Sequence, residues 1–409
     1  MTALTCRFCA APLSLTLCDL GATPLANSFL DKAEIAAERR FPLHARVCER
    51  CFLVQVENSV PPDAIFSDYA YFSSYSDSWV AHAARYAQAM RERFRLGPDS
   101  LVVEVASNDG YLLQHFRSAG IPVLGVEPAA NVAVTARARG IETEVAFFGA
   151  ETAHRLAASG HRADLMAANN VLAHVPDISD FVAGFAALLK PQGVVTFEFP
   201  HVLNLIEKVQ FDTIYHEHFS YLSLVTVERV LAATGLKAID VEELPTHGGS
   251  LRLYAALAGS DHRPSARLDA LREKERAARL DSPAGYAGFQ AKVEAVREGF
   301  RAYLAQARAQ GRRVAAYGAA AKGNTFLNYC GIGPGDMICC FDRSPAKQGR
   351  LLPGSHIEVR PAEDLGEVRP DDLVILPWNI AEEVMAQTRP AMPAGGRFVT
   401  AVPTLRFSS

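Results

Sequence analysis

The sequence predicts an α/β protein whose central part is a doubly wound parallel sheet, preceded by a small cysteine-rich module and followed by a second α/β unit. Three observations predict this class. Two CxxC pairs fall within the first 51 residues, strand and helix patterns alternate from residue 101 to residue 198, and the order of strand, small-residue turn and helix returns at residue 313. We therefore expect three domains, at residues 1–66, 67–260 and 261–409.

The composition is that of an ordinary globular protein. The 409 residues are 49% hydrophobic and 21% charged, which is enough for two or three domains with substantial cores. A formal net charge of −4 provides no basic surface for nucleic acid or an anionic membrane. No apolar run reaches the roughly 18 residues of a membrane span, and the first residues lack the features of a signal peptide. We expect a cytoplasmic, reducing location and neither nucleic-acid nor membrane partners.

The first module contains two cysteine pairs with the spacing of a structural zinc site. Cys6 and Cys9 form one CxxC pair, and Cys48 and Cys51 form the other. Two intervening residues let both thiolates of a pair reach one ion from a single turn, and two such turns complete a tetrahedral site. Four protein ligands leave no open coordination position, so the expected zinc ion is structural.

Other interpretations of the cysteines remain open. Two independent redox-active CxxC motifs are an alternative, although neither pair opens a helix after a predicted strand. Cys18 and His44 are alternative ligands with a less suitable spacing. The cysteines of the C-terminal part lie in apolar surroundings and are expected in a core; they are Cys330, Cys339 and Cys340.

A segment rich in tyrosine and serine, residues 68–77, follows the cysteine module and leads into a helical pattern from Trp79 to Phe94. Two interpretations are equally open. The aromatic side chains staple two domains together, or a phenol reaches into a neighbouring pocket and donates a hydrogen bond to a substrate oxygen. Tyr69 and Tyr71 are the candidates for the second role.

The first strand and turn of the central sheet suit a nucleotide-like cofactor. A buried strand at residues 101–105 is followed by a turn of small and polar residues and by a helix over residues 112–119. Such a turn lets the backbone approach a ligand, and the helix N-terminus favours polar or anionic groups. The next strand, residues 123–126, ends in Glu127, an acid placed to bind ribose hydroxyls. These features alone fit either a dinucleotide or S-adenosylmethionine.

Two features favour S-adenosylmethionine. The turn EVASNDG, residues 104–110, lacks three spaced glycines and resembles a variant form of the first motif of class I methyltransferases. The fourth strand, residues 163–170, continues into VLAHVPD, which is similar to the segment after this strand in many such enzymes. Residues 188–198 then supply a helix end, a glycine turn and a fifth strand in the order of that fold.

Taken together, the motifs resemble those of the sugar-nucleotide C-methyltransferases, whose best-known members methylate C-3 of a dTDP-4-keto-deoxyhexose. The resemblance covers essentially the whole chain. It rests on the cysteine pairs and on five segments in one order: EVASNDGYLL from residue 104, NNVLAHVPD from 169, YHEHFSYLS from 215, HGGSLR from 247 and YGAAAKGNTFLN from 317. It implies a class I, Rossmann-like methyltransferase domain between a zinc-binding domain and a C-terminal Rossmann-like domain that contributes to binding of a nucleotide-linked 4-keto sugar.

The reaction that the resemblance implies is S-adenosylmethionine-dependent methylation of a carbon next to the ketone, most simply C-3. The ketone at C-4 acidifies the neighbouring hydrogen, a base removes it, and the resulting enolate attacks the sulfonium methyl group. Because this hydrogen is a weak acid compared with an imidazolium of pKa about 6.5, the enolate oxygen needs prearranged hydrogen-bond donors.

The stretch from residue 215 to residue 218 contains four consecutive ionisable side chains and supplies the catalytic candidates. His218 is the expected base, with Glu217 beside it to bind a sugar group or to orient an imidazole. Tyr215 and His174 are expected to donate to the C-4 oxygen or to other ring substituents. The spacing does not decide which histidine faces the sugar, and it differs from the HExxH of zinc proteases.

The resemblance also carries cofactor contacts onto the central sheet. They comprise the first turn with the acid that follows the second strand, an apolar cover for the adenine after the third strand, and asparagines near the methionine portion. These residues are Glu104, Ala106, Asn108, Gly110 and Glu127, then Phe147 and Phe148, then Asn169 and Asn170. Ala106 and Asn108 depart from the commoner glycine-rich form, which leaves their individual contacts open.

The C-terminal part is expected to begin with a hairpin and helices and to end in the second α/β unit. The hairpin covers residues 238–257, and residues 266–309 have the pattern of connecting helices. In the unit that starts at residue 313, the backbone amides of the turn and the ammonium of Lys322 suit a phosphate. We expect the substrate diphosphate there, with Asn324 as a further contact. A turn that binds nothing is the alternative.

Three other functions remain open. An NAD-dependent sugar-nucleotide epimerase or dehydrogenase would place a dinucleotide at the C-terminal turn. A zinc-anchored adaptor would need no catalytic base. An O- or N-methyltransferase acting on a sugar nucleotide is the nearest enzymatic alternative.

Overall fold

The structure is a computed structural model that describes residues 4–57, 74 and 77–408. Its strands, in chain order, are β1 (Leu15–Thr23), β2 (Phe41–Val47), β3 (Val54–Gln55), β4 (Val102–Val105), β5 (Val123–Val126), β6 (Thr143–Glu144), β7 (Ala163–Asn169), β8 (Leu189–Pro200), β9 (Ser220–Tyr221), β10 (Leu236–Leu244), β11 (Ser250–Leu257), β12 (Val314–Tyr317), β13 (Cys340–Asp342), β14 (Val359–Pro361), β15 (Asp372–Ile375), β16 (Arg397–Thr400) and β17 (Arg406–Ser408).

The α-helices lie between these strands and pack on the sheets. They are α1 (Asp77–Phe94), α2 (Leu113–Arg117), α3 (Ala130–Ala138), α4 (Ala150–Ala158), α5 (Ile178–Leu188), α6 (Val202–Glu207), α7 (Leu224–Ala233), α8 (Ala266–Ala277), α9 (Phe289–Ala309), α10 (Ala321–Cys330), α11 (Leu365–Val368) and α12 (Ala381–Thr388). Sequence signals mark several boundaries. Asp177 caps α5 by accepting the backbone N–H groups of Ser179 and Asp180, and Gly331 ends α10 in a left-handed conformation.

The central sheet has seven strands in the order β10-β11-β8-β7-β4-β5-β6. Strands β4 to β8 run parallel, whereas β11 lies antiparallel between β8 and β10. All residues of β4 are buried, as expected for a parallel strand covered by helices on both faces. The doubly wound sheet is confirmed, and the predicted hairpin forms its antiparallel end.

The N-terminal module has a sheet of four strands in the order β1-β2-β3-β9. Its last strand, β9, comes from the middle of the chain and follows the 215–218 stretch directly. In this pairing Val54 lies opposite Tyr221, and Gln55 lies opposite Ser220. The cysteine-rich module and the candidate catalytic loop are therefore joined through one sheet.

The C-terminal unit is a six-stranded sheet in the order β14-β13-β12-β15-β16-β17, parallel except for β17. Its first strand, turn and helix lie where the sequence predicts them, and α8 and α9 form the predicted helical connection. One buried apolar cluster contains side chains from the N-terminal module, from residues 202–221 and from the C-terminal sheet. This shared core joins the N-terminal and C-terminal sheets, and a second cluster packs Cys6, Cys48, Cys51 and Leu53 against side chains of the central sheet.

Membrane-spanning segments are not found among the described residues, where no helix combines the length and the apolar character that crossing a bilayer requires.

Candidate active site and zinc centre

The four predicted cysteine ligands converge in the N-terminal module. Their sulfur atoms all lie within 4.8 Å of one another, with 3.6 Å between Cys6 and Cys51 and 3.4 Å between Cys9 and Cys48. A tetrahedral zinc ion with Zn–S bonds of about 2.3 Å needs sulfurs about 3.8 Å apart, and a disulfide would need about 2.05 Å. The four thiols fit zinc, and the close contacts connect one CxxC pair with the other.

Each CxxC pair forms the same kind of turn. The N–H of Cys6 donates to the carbonyl of Ala11, and the N–H of Ala10 donates to the carbonyl of Cys6. The second pair repeats both bonds, and Ala10 and Phe52, the residues after each pair, have φ near +60°. This repeated geometry presents both sulfurs of a pair to one point. Cys18 and His44 lie outside the cluster, so they are not the ligands that the described residues offer.

The backbone conformation of the cofactor turn, residues 104–110, explains why this turn lacks the usual spaced glycines. Ala106, Asn108 and Gly110 all have positive φ, at 54°, 49° and 81°. These are alternate positions, so the turn has the left-handed backbone that glycines usually supply. Asparagine is among the residues that tolerate this conformation best, and alanine adopts it at a cost of about 1–2 kcal/mol. Gly110 also permits a close approach, because a Cβ there would lie 2.8 Å from Ile141 Cγ1.

Glu127 lies at the end of β5 against this turn. One carboxylate oxygen accepts the backbone N–H of Asn108 at 2.9 Å, and the other accepts the N–H of Ala129 at 2.9 Å. Burial raises the pKa of Glu127, and these two N–H groups oppose the shift. Each oxygen keeps a second lone pair, so the acid is placed for the predicted ribose contact while it shapes the turn.

Glu104 and Asn169 meet at the carboxyl ends of β4 and β7, where parallel α/β sheets bind ligands. Tyr111, which the sequence analysis did not single out, contacts both side chains. Burial raises the pKa of Glu104 well above its usual range. Glu104 Oε2 and Asn169 Oδ1 are buried acceptors without a hydrogen-bond partner among the described residues. Acceptors of this kind suit the ammonium group of a methionine moiety, so the residues present fit S-adenosylmethionine.

The two phenylalanines after β6 differ in their surroundings. Phe147 is 49% exposed, whereas Phe148 packs against Phe181 and Phe185 with ring centroids 5.7 and 4.8 Å apart. Gly184 lies close to Phe148, since a Cβ there would be 2.8 Å from its ring. Phe147 is therefore the ring available to cover an adenine, and Phe148 belongs to the core beneath it.

A buried ionic cluster beside this region was missed by the sequence analysis. Glu198, near the end of β8, accepts one hydrogen bond from Arg252 at 2.9 Å and contacts His82 at 3.1 Å. Trp79 stacks on His82 with ring centroids 4.9 Å apart. Burial opposes ionisation of Glu198, but the hydrogen bond with His82 and the charge of Arg252 prevail and lower its pKa. Two features of the sequence could have indicated this cluster: the arginine of HGGSLR, Arg252, and the glutamate inside an apolar strand, Glu198.

Asn169, the last residue of β7, and Asn170, which follows it, have different surroundings. Asn170 has φ of 56°, and its Nδ2 donates to His247 Nε2 at 3.2 Å. His247 also has a left-handed backbone, with φ of 54°, and its ring lies 5.5 Å from that of Trp79. The HGGSLR segment thus borders the cofactor region through its histidine, which sequence reasoning had quoted without giving it a role.

His218 has a defined tautomer in the 215–218 loop. Its Nδ1 lies 3.1 Å from the carbonyl of Thr213, and its Nε2 lies 2.8 Å from the hydroxyl of Tyr215. A carbonyl can only accept, so Nδ1 carries the hydrogen and Nε2 accepts the hydrogen of the phenol. The neutral imidazole therefore presents a lone pair on Nε2, which is the state that a general base requires.

His174 joins this group from the other side of the site. It ends a short 3-10 helix, Leu172–His174, that directly follows β7, and its ring centroid is 4.6 Å from that of His218. Burial lowers the pKa of His174 to about 4, and it lowers the pKa of His218 well below the usual range with His174 contributing. Both rings are thus neutral near pH 7. The loop and the cofactor sheet, far apart in the sequence, place two imidazoles in contact.

The remaining loop residues point to the N-terminal module. Nε2 of His216 donates to the carbonyl of Pro42 at 3.1 Å, so this histidine anchors the loop. Glu217 is 7% exposed, and its Oε1 accepts a hydrogen bond from Asn27 Nδ2 at 2.7 Å. The Thr213 carbonyl, rather than Glu217, holds the imidazole of His218. Of the two alternative roles for Glu217, contact with a sugar group therefore agrees better with the geometry.

The C-terminal unit reaches the same site with Lys322 and Trp378. Lys322 Nζ donates to Asn379 Oδ1 at 2.6 Å and lies 4.8 Å from the centre of the Trp378 ring. Trp378 Nε1 donates to Asp212 Oδ2 at 2.6 Å, one residue before the Thr213 carbonyl that holds His218. Burial raises the pKa of Asp212 to about 6 and lowers that of Lys322. The predicted substrate lysine thus lies next to the segment 213–218, which contains the candidate base.

Asn324 has a structural environment that the sequence did not indicate. It is 1% exposed, and its Nδ2 donates to the carbonyl of Ala26 at 2.6 Å. The next residue, Thr325, donates to the carbonyl of Ile214 at 3.1 Å. The first turns of α10 therefore contact both the N-terminal module and the residue before the 215–218 stretch, which gives Asn324 an architectural role within this structure.

Tyr69 and Tyr71 lie outside the described residues.

Comparisons with known proteins agree with this architecture. Three family profiles match the chain, a zinc binding domain at residues 6–66, a methyltransferase domain at 79–241 and a C-methyltransferase C-terminal domain at 245–403. The C-methyltransferase NovU of Streptomyces niveus is 36% identical over 405 residues, which are 99% of this chain and 96% of that protein. A ubiquinone biosynthesis O-methyltransferase of Bartonella bacilliformis is 25% identical over 37% of this chain and 66% of its own length.

Solved structures of methyltransferases are similar to about half of the chain. Magnesium protoporphyrin IX methyltransferase of Synechocystis, with bound S-adenosylhomocysteine, is 16% identical over 44% of this chain and 83% of that chain, with a TM-score of 0.36. The 1,6-didemethyltoxoflavin-N1-methyltransferase of Burkholderia thailandensis is 18% identical over 51% of this chain and 95% of that chain, also with a TM-score of 0.36.

The sheet order, the cofactor turn and the four-cysteine cluster define a class I S-adenosylmethionine-dependent methyltransferase with a zinc-binding module. Near-complete coverage of a relative at 36% identity and the matching C-terminal profile extend this class to a family. The chain belongs to the C-methyltransferases. It is an enzyme that transfers a methyl group from S-adenosylmethionine to carbon of a small-molecule substrate.

Proposed function

We propose that the protein methylates a nucleotide-linked 4-keto-deoxy sugar at a carbon next to the ketone, most simply C-3. The observation that carries this proposal is the contact of neutral His218 with Tyr215 and His174 beside the cofactor end of the central sheet. Forming carbon–carbon bonds by methylation needs a carbanion equivalent. A ketone provides one when a base removes a neighbouring proton and donors hold the enolate oxygen.

In this proposal His218 Nε2 accepts the proton from the sugar carbon. The phenol of Tyr215, which donates to Nε2 in the structure, turns to the C-4 oxygen as negative charge develops there. His174, neutral because burial depresses its pKa, supplies a further donor without adding charge. The Thr213 carbonyl keeps the hydrogen on Nδ1 of His218 and stabilises the imidazolium that forms. Bound S-adenosylmethionine supplies the electrophilic methyl group that the enolate carbon attacks.

Glu217 is assigned to the sugar rather than to an imidazole. Its Oε1 accepts the hydrogen bond of the Asn27 amide, and Oε2 is the second acceptor oxygen of the same carboxylate. A carboxylate oxygen in this position can accept the hydrogen of a sugar hydroxyl. Tyr69 and Tyr71 remain proposed donors from the segment after the zinc module.

The first turn of α10 is proposed to bind the substrate diphosphate together with Lys322. Helix N-termini favour anionic groups, and the ammonium adds a positive charge at the same end. Two residues near this turn, Asp342 and Gly318, already contact other parts of the protein closely. Asp342 accepts the N–H groups of Ala319 at 2.7 Å and Ser344 at 2.8 Å, and a Cβ on Gly318 would lie 2.5 Å from Pro377. Both carboxylate oxygens of Asp342 thus help to shape this turn, as those of Glu127 do at the turn after β4.

A reducing, cytoplasmic location belongs to the same proposal, because the four cysteines must stay as thiolates to hold zinc.

The proposal is tested by supplying 4-keto-deoxy sugars linked to dTDP, GDP and CDP together with S-adenosylmethionine. We expect a mass gain of one methyl group for at least one sugar nucleotide, and a carbon-bound methyl group by NMR of the product. A methyl group on oxygen or nitrogen would overturn the C-methylation of a sugar. Titration with S-adenosylhomocysteine and with NAD provides the second arm, in which binding of NAD alone would contradict the proposal.

A further inference from the structure

Asn27 lies on a short turn of the N-terminal module between β1 and β2. The N–H of Ser28 donates to the carbonyl of Leu25, and that of Phe29 donates to the carbonyl of Asn27 itself. The side chain of Asn27 is exposed, whereas the glutamate that it contacts is buried. The contact therefore joins the surface of the N-terminal module to a buried carboxylate of the 215–218 stretch.

This turn is fixed from the opposite side by the C-terminal unit. The carbonyl of Ala26, the residue before Asn27, accepts the amide of buried Asn324 at 2.6 Å. Thr325 of the same helix donates to the carbonyl of Ile214 at the start of the catalytic loop. Helix α10 therefore sets the distance between the Asn27 turn and the loop that carries Glu217.

The bond between Asn27 Nδ2 and Glu217 Oε1 is 2.7 Å long, in the range of charge-assisted hydrogen bonds. Other groups near Glu217 are committed elsewhere. His216 donates to Pro42, His218 is held by Thr213, and His174 contacts the Glu217 backbone. Burial raises the pKa of Glu217, and the Asn27 amide opposes that shift.

We infer that Asn27 is a positioning residue, which holds Oε1 of Glu217 so that Oε2 faces a hydroxyl of the sugar. The inference rests on the proposed function for the role of Glu217 toward the substrate. The contact itself is a property of the protein and can be measured without a substrate. The zinc module thus contributes a residue to the active site in addition to its structural role.

The first experiment measures the titration of Glu217 by 13C NMR of glutamate-labelled protein, with E217Q identifying the resonance. We expect N27A to raise the pKa of Glu217, because the amide stabilises the ionised carboxylate. N27D, which conserves the side-chain size, raises it further through the repulsion of two carboxylates. S14A is the matched control, since exposed Ser14 donates to Glu49 within the same module, and it leaves the titration unchanged. An unchanged titration in both N27A and N27D would overturn the inference.

The second experiment is a double-mutant cycle on kcat/KM for the 4-keto sugar nucleotide. We expect N27A and E217Q each to lower kcat/KM about tenfold or more, and the double variant to be no worse than E217Q. Zinc content and S-adenosylhomocysteine affinity stay at wild-type values in N27A. Additive losses would show that Asn27 does not act through Glu217. If the wild type methylates no 4-keto sugar, the proposed function fails, and the NMR titration still decides the role of Asn27.

Discussion

Two histidines separated by one residue have different roles because their imidazoles meet different partners. His218 donates from Nδ1 to Thr213 and keeps a lone pair on Nε2 toward Tyr215. His216 donates from Nε2 to the carbonyl of Pro42 in strand β2 of the N-terminal sheet. Reactivity therefore follows from which ring nitrogen keeps its lone pair and where that nitrogen points.

Replacing the two histidines separates these roles. We expect His218→Asn to lower kcat by about 100- to 10,000-fold, the usual contribution of a general base, with S-adenosylhomocysteine affinity unchanged. His216→Asn is the matched control. It loses a buried hydrogen bond and lowers the free energy of unfolding by about 1–3 kcal/mol, with a much smaller effect on kcat. Full methyl transfer by His218→Asn would show that another group is the base.

The depressed pKa of His218 predicts the pH dependence of the reaction. The imidazole acts as a base in its neutral form, which dominates above its pKa, and burial places that pKa well below the usual range. We expect kcat/KM to be independent of pH from about 6.5 to 8 and to fall only on further acidification. A profile of kcat/KM against pH checks this, and an acid limb centred at or above the ordinary histidine pKa would contradict it.

The role of each histidine could not be predicted from the sequence. The crowding of ionisable groups at residues 215–218 indicated one candidate loop, and NNVLAHVPD indicated His174; both remain predictions. The carbonyls that separate His216 from His218 belong to Pro42 and Thr213, and only the folded chain brings Pro42 to the loop. Asn27, at 190 positions from Glu217, had no local signal at all.

At the scale of elements, the cofactor turn depends on backbone conformation more than on glycine content. Three alternate residues with positive φ give the usual shape although two of them carry side chains. The sequence showed the departure at Ala106 and Asn108, and the structure explains it. Strands and helices of the central sheet were predictable because each has a continuous apolar pattern. The Glu198 cluster was not, because Arg252 and His82 lie 54 and 116 positions away.

A pair of glycine variants tests the close approach in this turn. Gly110 and Gly120 have similar φ, at 81° and 76°, but a Cβ meets Ile141 at 2.8 Å only at Gly110, with nothing within 4 Å at Gly120. We expect Gly120→Ala to cost about 1 kcal/mol of unfolding free energy from backbone strain alone. Gly110→Ala costs about 1–3 kcal/mol more and weakens S-adenosylhomocysteine binding. Denaturation and calorimetric titration measure both, and equal effects would refute a packing constraint.

Residues from all three sheet-containing units contribute to one candidate site. The central sheet supplies the cofactor turn and His174, the N-terminal module supplies Asn27 and the strand that pairs with β9, and the C-terminal unit supplies Lys322 and Trp378. The order of the three units was predictable from composition and motifs, whereas the domain boundaries stay a prediction. Their convergence was not predictable, because β9 leaves the middle of the chain to complete the first sheet.

The zinc site is connected to the catalytic loop by a short path. The second CxxC turn leads directly into β3, which pairs with β9, and β9 follows His218 after Phe219. The N–H of Val56 donates to the carbonyl of Phe219 at 3.1 Å. The hydroxyl of Thr226 donates to the carbonyl of Cys51 at 3.2 Å. Loss of the metal would release four thiolates at one end of this path, so the geometry of the loop should depend on zinc.

We therefore expect Cys48→Ala, or removal of zinc by a chelator, to abolish most methyl transfer and to lower the melting temperature. S-adenosylhomocysteine affinity should change far less, since the cofactor turn belongs to the central sheet. Cys18→Ala is the matched control, because Cys18 is buried in the same module but lies outside the metal cluster. Zinc content, calorimetric titration and methyl transfer are measured on the same samples. A zinc-free Cys48→Ala protein with wild-type methyl transfer would show that the loop is held without the metal, and the contact path through β3 and β9 would then be insufficient to explain its geometry.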